Sequence, residues 1–528
     1  MDWDFVIVGS GFGGSVSALR LIEKGYRVLV LEKGRRYRPA DFPRTNWNLR
    51  RWFWLPQLGL RGHFKMTFLP HLTALSGVGV GGGSLTYCNT LPVPKDEFFA
   101  APSWGHLADW KRELSPHYDE AKRMLGVVRN EMIRDPELIL RKLAEEDGRP
   151  ERFQPTDVAV FFGDPDTTVP DPFFDGEGPE RTGCSGCGAC TVGCRDDGKN
   201  SLDKNYLHLA DRQGLELIPD MEVTWVRPLD GGGFQLTARQ GASVWARRTR
   251  TFTARNVVLA GGVLGTIPLL LKLKEREDGL PRLSDRVGHA VRTNSEALIG
   301  VTTRRRDIDL STGVSIGGLL EAGEHSHLEL VRYPAGSGAF RLTVVPHVPG
   351  RGILRRMLAM IWVLVRHPWM SLRTFLVPDW ARYTTILLFM STLEGTLRLK
   401  LGRSLGTLFR RGLVTSLESG DPPLASLPEA TALAGRIAEQ IDGMPVSLIN
   451  ETVLDVPTTA HVLGGCCMGT SAADGVIDHR HRVFGYDGLY VIDGSAISAN
   501  PGVNPSLTIT ALAERAMSFV PEKDRTET

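Results

Sequence analysis

The sequence predicts an α/β protein: a Rossmann-like nucleotide-binding sheet, discontinuous in sequence, joined to a second domain with a mainly antiparallel sheet. Three observations carry this. The chain opens Asp4-Phe5-Val6-Ile7-Val8-Gly9-Ser10-Gly11-Phe12-Gly13-Gly14, an apolar strand running into a G-x-G-x-x-G turn. A second apolar run, Arg255 to Ala260, ends in Gly261-Gly262 and leads into a helical stretch, Leu264 to Lys274. From about Arg292 to Pro346 the residues alternate in strand fashion, as in Leu328-Glu329-Leu330-Val331-Arg332-Tyr333.

The opening element is the most specific. After the turn come Val16, Leu19, Leu21 and Ile22 at helical spacing, then the run Arg27 to Leu31, closed by Glu32. Strand, tight turn, helix, strand and acid follow in order. Gly9, Gly11 and Gly14 let a diphosphate approach the backbone and sit on the helix N-terminus. Glu32 is placed to accept hydrogen bonds from a ribose. Next comes Gly77-Val78-Gly79-Val80-Gly81-Gly82-Gly83-Ser84-Leu85, with Asn89 beyond it. This run holds too much Gly for a helix or strand interior, and too much Val and Leu for a flexible linker. It reads as backbone passing against a flat or charged ligand.

Composition sets outer limits. A chain of 528 residues can bury a large core and hold more than one domain. Its 62 basic and 60 acidic residues nearly cancel, so no global field points to nucleic acid. The first strand starts almost at Met1, with no secretory pattern before it, and no apolar run reaches spanning length. The expectation is a cytoplasmic protein, free or resting on a membrane.

Two segments carry aromatic and basic residues together. Trp47 to Leu55, continuing to Phe68, reads either as a packed Trp-rich patch or as a loop over a bulky apolar ligand or lipid. Ile353 to His367 is too short to span a bilayer and is flanked by Arg351, Arg355, Arg356, Arg366 and Arg373. It reads either as an interfacial helix or as a buried helix with basic ends.

Four of seven cysteines, Cys184, Cys187, Cys190 and Cys194, follow the spacing C-x2-C-x2-C-x3-C. That spacing occurs in bacterial iron–sulfur runs, but Arg195 follows where those have Pro, and no second run exists. An iron–sulfur cluster, zinc, free thiols and two short bridges all stay open.

The C-terminal stretch is dense in turns: His461 with Gly464-Gly465, the strand Leu489 to Ile492 delivering Asp493-Gly494, and Asn500-Pro501-Gly502-Val503-Asn504-Pro505 before a helix. Ligands bind at such strand ends, and a helix start favours negative charge on a bound ring. His461, beside these turns, reads as catalytic and not as a core histidine.

Taken in order, these residues resemble the glucose–methanol–choline (GMC) oxidoreductases, in their cholesterol oxidase branch. Gly9 to Gly14 with Glu32, the Gly81-Gly82-Gly83-Ser84-Leu85 loop, the segment Lys199 to Leu207, and the pair His461 and Asn504 carry the resemblance. It implies FAD, with Glu32 at the adenosine ribose, Val223 meeting adenine through its backbone, and Gly82, Gly83, Ser84, Asn89, Asp493 and Gly494 along the cofactor. It places residues 1–40, 72–110, 196–300 and 456–528 in the FAD-binding domain, and 41–71, 111–195 and 301–455 in the substrate domain. It implies oxidation of a secondary alcohol of the sterol type, with His461 as base, Asn504 orienting the alcohol, and oxygen as acceptor. Two departures stand out. Tyr87 holds the place where the family has an Asn, with Asn89 two residues on. Gly338 holds the place of the Glu that moves a proton in double-bond isomerisation, so that activity is not implied; Glu329 is close in sequence, and alternation allows it either face. The cysteines suggest an alternative: a dehydrogenase passing electrons through an iron–sulfur centre to a protein or quinone.

Overall fold

The computed structural model describes residues 1–241, 248–350, 352–366, 368–393 and 395–524. Arg351 and His367, in the basic apolar segment, lie outside the described residues, as does the side chain of Arg373.

The first sheet contains β1 (Trp3–Val8), β2 (Val28–Leu31), β3 (Glu216–Ile218), β4 (Met221–Pro228), β5 (Phe234–Gln240) and β6 (Arg248–Leu259). They hydrogen-bond in the order β3-β2-β1-β6-β5-β4, and a seventh strand, Leu489–Val491, pairs with β6. The core pairs β3–β2–β1–β6 run parallel. β1 and β2 are largely buried, which explains their unbroken Val, Ile and Leu content. Helix α1 (Phe12–Glu23) crosses from β1 to β2 and packs on the C-terminal helix Ser506–Ser518. Arg20 of α1 bonds Glu514 of that helix through two nitrogens, at 2.7 and 2.8 Å. The closing strand β6 delivers Ala260 to the first turn: a Cβ on Gly9, whose φ is +101°, would stand 2.5 Å from the Ala260 carbonyl oxygen. Only glycine fits there.

The second sheet is antiparallel and covers the expected alternating region. Its central strands are β7 (Ala297–Thr303), β8 (Ser326–Val331), β9 (Thr384–Ser391) and β10 (Gly443–Leu448). β9 sits between β7 and β8, and β10 pairs with the other edge of β7. One face packs on the helices Asp135–Glu146 and Pro428–Gln440 through Leu140, Leu328, Phe389 and Ile437. All six residues of β8 are buried, so its alternation does not mark a solvated face. Glu329 pairs in register with Leu388 of β9 and Leu319 of the neighbouring strand Gly318–Glu321.

The end of β8 is fixed by an ion pair. Arg332 and Glu137 are 0% and 1% exposed and paired with each other. Glu137 also accepts the Arg134 amide at 2.9 Å. Removing one partner of a buried pair leaves an uncompensated charge, a loss of about 3–5 kcal/mol. Glu137→Ala is expected to lower unfolding stability by that amount in a denaturant titration. The double change Glu137→Leu with Arg332→Met, which leaves no lone charge, is expected to recover most of it.

Candidate active site

The first site is a backbone cradle. Gly9 turns the chain off β1, and Gly14 lets α1 approach it, since a Cβ there would lie 2.1 Å from the Gly9 oxygen. α1 starts at Gly11 with no side-chain cap and no acid in its first turn. Its leading amides therefore remain open to an anion. A Cβ on Gly11 would meet only the Ala260 oxygen, at 4.0 Å, so space lies above it. The second glycine loop lies directly against this turn: a Cβ on Gly82 would stand 2.7 Å from the Gly11 Cα. A Cβ on Gly83 would meet only Phe12, at 3.6 Å.

Glu32 and Ser10 tie the loops together. Glu32 Oε2 accepts the Ser10 amide at 3.0 Å and the Ser10 hydroxyl at 2.9 Å, and Oε1 accepts the Gly34 amide at 2.8 Å. Ser10 Oγ in turn accepts the Gly81 amide at 3.2 Å. Ser84 Oγ donates to Gly81 O at 2.7 Å and accepts the Leu202 amide at 3.0 Å. The segment from Lys199 onward thus buttresses the glycine loop, with Tyr87 donating to Asn200 O at 2.6 Å. Met221, two residues before Val223 on β4, donates its amide to Glu32 O at 2.8 Å, and a β-bulge follows Val223.

The C-terminal strand brings in the rest. Gly13 touches Ile492: a Cβ there would lie 1.8 Å from the Ile492 oxygen. Asp493 therefore arrives beside the cradle, but its carboxylate is occupied. It accepts Gly262 N at 2.8 Å, Thr266 Oγ at 2.6 Å and Ser495 N at 2.8 Å. It acts as an internal clamp between the 493–495 turn and the helix start at Val263. Gly494 accepts the Gly464 amide at 3.0 Å, which seats the His461 loop against the same turn.

Around His461 and Asn504 lies a cluster of buried polar groups. His461 Nδ1 is paired with the Glu296 carboxylate, and Glu296 Oε2 accepts the Ala460 amide at 3.0 Å. A carboxylate at Nδ1 holds a proton on that nitrogen and leaves Nε2 as the ring atom open to a ligand. Asn294, at φ +56°, donates to Val503 O at 2.7 Å and has its Nδ2 3.4 Å from His461 Nδ1. Asn504 Nδ2 donates to Glu329 Oε2 at 3.2 Å. Glu329 therefore faces this site, and it is fully buried. Burial pushes its carboxyl up to about 8, against the downward pull of Asn504; Glu296 adds to the rise. Burial, reinforced by the charge of Lys95, lowers its neighbour His327 to about 3. Asn294 Oδ1, Asn504 Oδ1, Glu329 Oε1 and His327 Nε2 are buried with no hydrogen-bond partner. Unpaired polar atoms gathered in one place mark where a polar ligand belongs. Sequence reasoning missed Ser10, a variable position within the first glycine motif, and Asn294 and Glu296, which sit in no motif, and it left Glu329 undecided.

Of the readings left open for the cysteines, the structure holds free thiols. Among the described residues no group of three or more His, Cys, Asp or Glu is arranged to hold a metal ion, so neither iron–sulfur nor zinc is supported at Cys184, Cys187, Cys190 and Cys194. All seven cysteines are free. Gly186, Gly188 and Gly193 hold left-handed φ, and the loop they turn brings all four thiols to the wall of one small cavity. Cys187 is exposed, Cys190 is buried and accepts Asn89 Nδ2 at 3.4 Å, and Cys194 accepts the Lys199 amide at 3.4 Å. The cavity among them is about 20 Å³, room for about one water. Burial raises the thiols of Cys184, Cys187 and Cys190, the last to about 11, which keeps them protonated. Asn89, expected along the cofactor, instead braces this loop, with its Oδ1 unpartnered.

Comparison with known proteins agrees with this geometry. Models of the GMC oxidoreductase family match residues 179–274 and 424–513, and an NAD(P)-binding Rossmann-like domain matches residues 7–38. The chain is 43% identical to a cholesterol oxidase of Acinetobacter baumannii over 535 residues, covering 100% of this chain and 96% of the relative. It is 44% identical to a cholesterol oxidase of Mycobacterium tuberculosis (strain ATCC 25618 / H37Rv), covering 92% of that protein. In fold it is similar to formate oxidase of Aspergillus oryzae RIB40, with a TM-score of 0.63 at 15% identity over 98% of this chain and 97% of that one. The chain belongs to the GMC oxidoreductase family, as a cholesterol-oxidase-like member. It is an FAD-dependent alcohol oxidoreductase. The residues present fit that cofactor: two opposed glycine loops and uncapped helix amides would hold its diphosphate, with Glu32, which binds Ser10 and Gly34, beside them at the end of β2.

Two outcomes follow. Gly14→Ala forces the first turn apart and is expected to lower bound flavin several-fold, read as the ratio of flavin to protein absorbance after purification. For Glu329, the folded carboxyl titrates near 8 and the unfolded one near its ordinary 4.5. Between these values the folded state binds the extra proton, so this group's contribution to stability falls as pH rises. Glu329→Gln removes that dependence. Its melting temperature, relative to the parent, is expected to rise from pH 5 to pH 8; a flat difference contradicts the burial argument.

Proposed function

We propose that this protein oxidises the ring hydroxyl of a 3-hydroxysteroid or sterol. The observation that carries the reading is the buried constellation of His461, Glu296, Asn294, Asn504 and Glu329, with unpartnered oxygens facing inward. The full-length likeness to two proteins named as cholesterol oxidases supplies the substrate class. FAD, when bound, supplies the hydride acceptor for the alcohol carbon. The chain's residues do the rest. His461 Nε2 accepts the hydroxyl proton, because Glu296 holds the ring with its other nitrogen protonated and stabilises the imidazolium that results. Asn504 orients the alcohol oxygen, and Glu329, neutral at pH 7, fixes the Asn504 amide without placing a charge beside it. The start of the helix Ser506–Ser518 has no side-chain cap and would favour negative charge on a flavin held before it. The four segments 1–40, 72–110, 196–300 and 456–528 act as the FAD-binding domain, and the remainder shapes the substrate cavity.

Oxygen is the acceptor in this reading. The alternative, with electrons leaving through an iron–sulfur centre, lacks a ligand set among the described residues. Isomerisation is not included, since Gly338 packs against Trp47 and Trp380 and brings no carboxylate.

The test is anaerobic mixing of the flavin-loaded protein with a panel of sterols, other bulky alcohols and short alcohols. Bleaching of the flavin by sterols at low concentration is expected; bleaching by short alcohols alone overturns the substrate class. His461→Gln is expected to keep its flavin and to reduce it about 10²–10⁴-fold more slowly. Undiminished reduction removes His461 from the proton transfer.

A further inference from the structure

The loop Cys184 to Cys194 has no part in the alcohol chemistry. Its four thiols are free and share the wall of one cavity of about 20 Å³, with Lys199 and Gly313 beside them. That is room for about one water, or for a solute of similar size. Of the four, Cys194 also lines a second small cavity, with Tyr37, Phe42, Asp203 and Lys204. It is part-exposed, whereas Cys190 is buried. Cys194 therefore stands between the way in and the other three thiols.

Two cations are buried around it without a carboxylate of their own. Lys199 is 2% exposed, and its ammonium donates to the carbonyls of Cys190, at 2.7 Å, and Leu85, at 3.2 Å. Its backbone amide donates to Cys194 Sγ at 3.4 Å. Arg181 is 1% exposed; it donates to Asp197 O at 2.7 Å and to the Asn200 side chain, and its Nη2 is buried with no hydrogen-bond partner. Both cations interact electrostatically with the Cys194 thiol. The nearby carboxylates are engaged elsewhere. Asp197 is paired with Lys204, Asp203 accepts the Ser201 hydroxyl at 2.5 Å, and Asp196 accepts that of Ser185 at 2.6 Å. The other titratable groups facing Lys199 are neutral at pH 7: burial pushes Tyr87 well up and Cys88 up to about 12, and it lowers His63 to about 3. A buried cation without a counter-charge is costly, and a thiolate at Cys194 supplies one. Burial raises the thiols of Cys184, Cys187 and Cys190 and opposes ionisation there. Lys199 faces Cys190 too, but that sulfur is buried and accepts Asn89 Nδ2.

We propose that Cys194 is a peroxide-reactive thiol that closes a disulfide with a second cysteine of the same loop. The Cys194 thiolate attacks one oxygen of hydrogen peroxide. The O–O bond breaks, and hydroxide leaves and takes up the thiol's proton as water, which makes Cys194 a sulfenic acid. A second thiol of the cavity attacks the Cys194 sulfur, the S–O bond breaks, and a second water leaves. Two thiols lose two electrons in all, and peroxide is reduced to two waters. The loop is tied to the cofactor site: Lys199 holds Cys194 through its amide and the second glycine loop through Leu85 O. The source of the peroxide, turnover of the alcohol with oxygen, rests on the oxygen reading above; the thiol site itself does not.

The experiment uses the flavin-loaded full chain, reduced with dithiothreitol, freed of it, and treated with a small excess of hydrogen peroxide without any alcohol. Peptide mapping is expected to find one new disulfide that contains Cys194, and the intact mass is expected to fall by two hydrogens. Cys194→Ser is expected to form no disulfide in this loop, with flavin content and melting temperature as in the parent. Changing the second cysteine of the mapped disulfide to Ser is expected to leave a Cys194 sulfenic acid that dimedone traps. Lys199→Met is expected to slow the oxidation about tenfold, since it takes one cation from the thiolate. Thiols that stay reduced, a disulfide that leaves Cys194 out, or a Cys194→Ser chain that still closes one, overturns the proposal. So does a Lys199→Met chain that keeps its flavin and oxidises at the parent rate. Oxidation by added peroxide but none during aerobic turnover of an alcohol leaves the thiol site standing and removes the oxygen reading instead.

Discussion

The bond set between Glu32 and Ser10 is the constraint on which the cofactor site depends. Two loops, made almost entirely of glycine and over seventy residues apart, have no side chains with which to hold each other. Glu32 closes β2 and anchors Ser10 by amide and hydroxyl; Ser10 then holds the Gly81 amide. Glycine permits the contact, and the buried carboxylate fixes it. Hydrogen bonds to a charged acceptor are each worth about 1.5–3 kcal/mol, roughly twice neutral ones. That strength is directed at loops that would otherwise have high conformational freedom.

The reactive end is built on the opposite principle. There the polar groups are side chains, they come from four distant segments, and several are left unpaired. Glu296 and Asn294 precede β7, Glu329 lies in β8, His461 follows a turn, and Asn504 precedes the last helix. The antiparallel sheet brings the first three together, and the C-terminal strand brings the last two. Asp493 links both ends: its carboxylate ties the helix start at Val263 to the turn that seats His461. A chain that spends buried carboxylates on loops and on a histidine while leaving amide oxygens unpaired is arranged for a ligand that completes it.

Much of this was legible in the sequence. The strand–glycine–helix pattern, the placed acid and the ordered motifs gave the sheet, the family and the cofactor, because local backbone requirements leave glycine no substitute. The alternating stretch gave the antiparallel sheet. The facing of Glu329 was not legible, because β8 is buried on both sides and alternation then has no polar face to report. The cysteine spacing left a metal, free thiols and bridges all open, because spacing fixes only distance along the chain; in the fold the four thiols are free around one small cavity. Asp493 was expected on the cofactor, and its carboxylate is engaged elsewhere. The two readings of the Ile353 segment could not be separated there: the fold buries Arg356 against Asp455 and leaves Leu354, Leu358 and Trp362 exposed, a tertiary fact.

The central claim is that His461 and Asn504 hold a sterol alcohol for transfer of its carbon-bound hydrogen to FAD. It is tested most directly by anaerobic flavin reduction with a 3-hydroxysterol and with the same sterol deuterated at the hydroxyl-bearing carbon. A primary isotope effect on the bleaching rate is predicted, for the parent protein and for Asn504→Ala alike. A flavin that both sterols leave oxidised, or reduce at equal rates with chemistry shown to be limiting, contradicts the account.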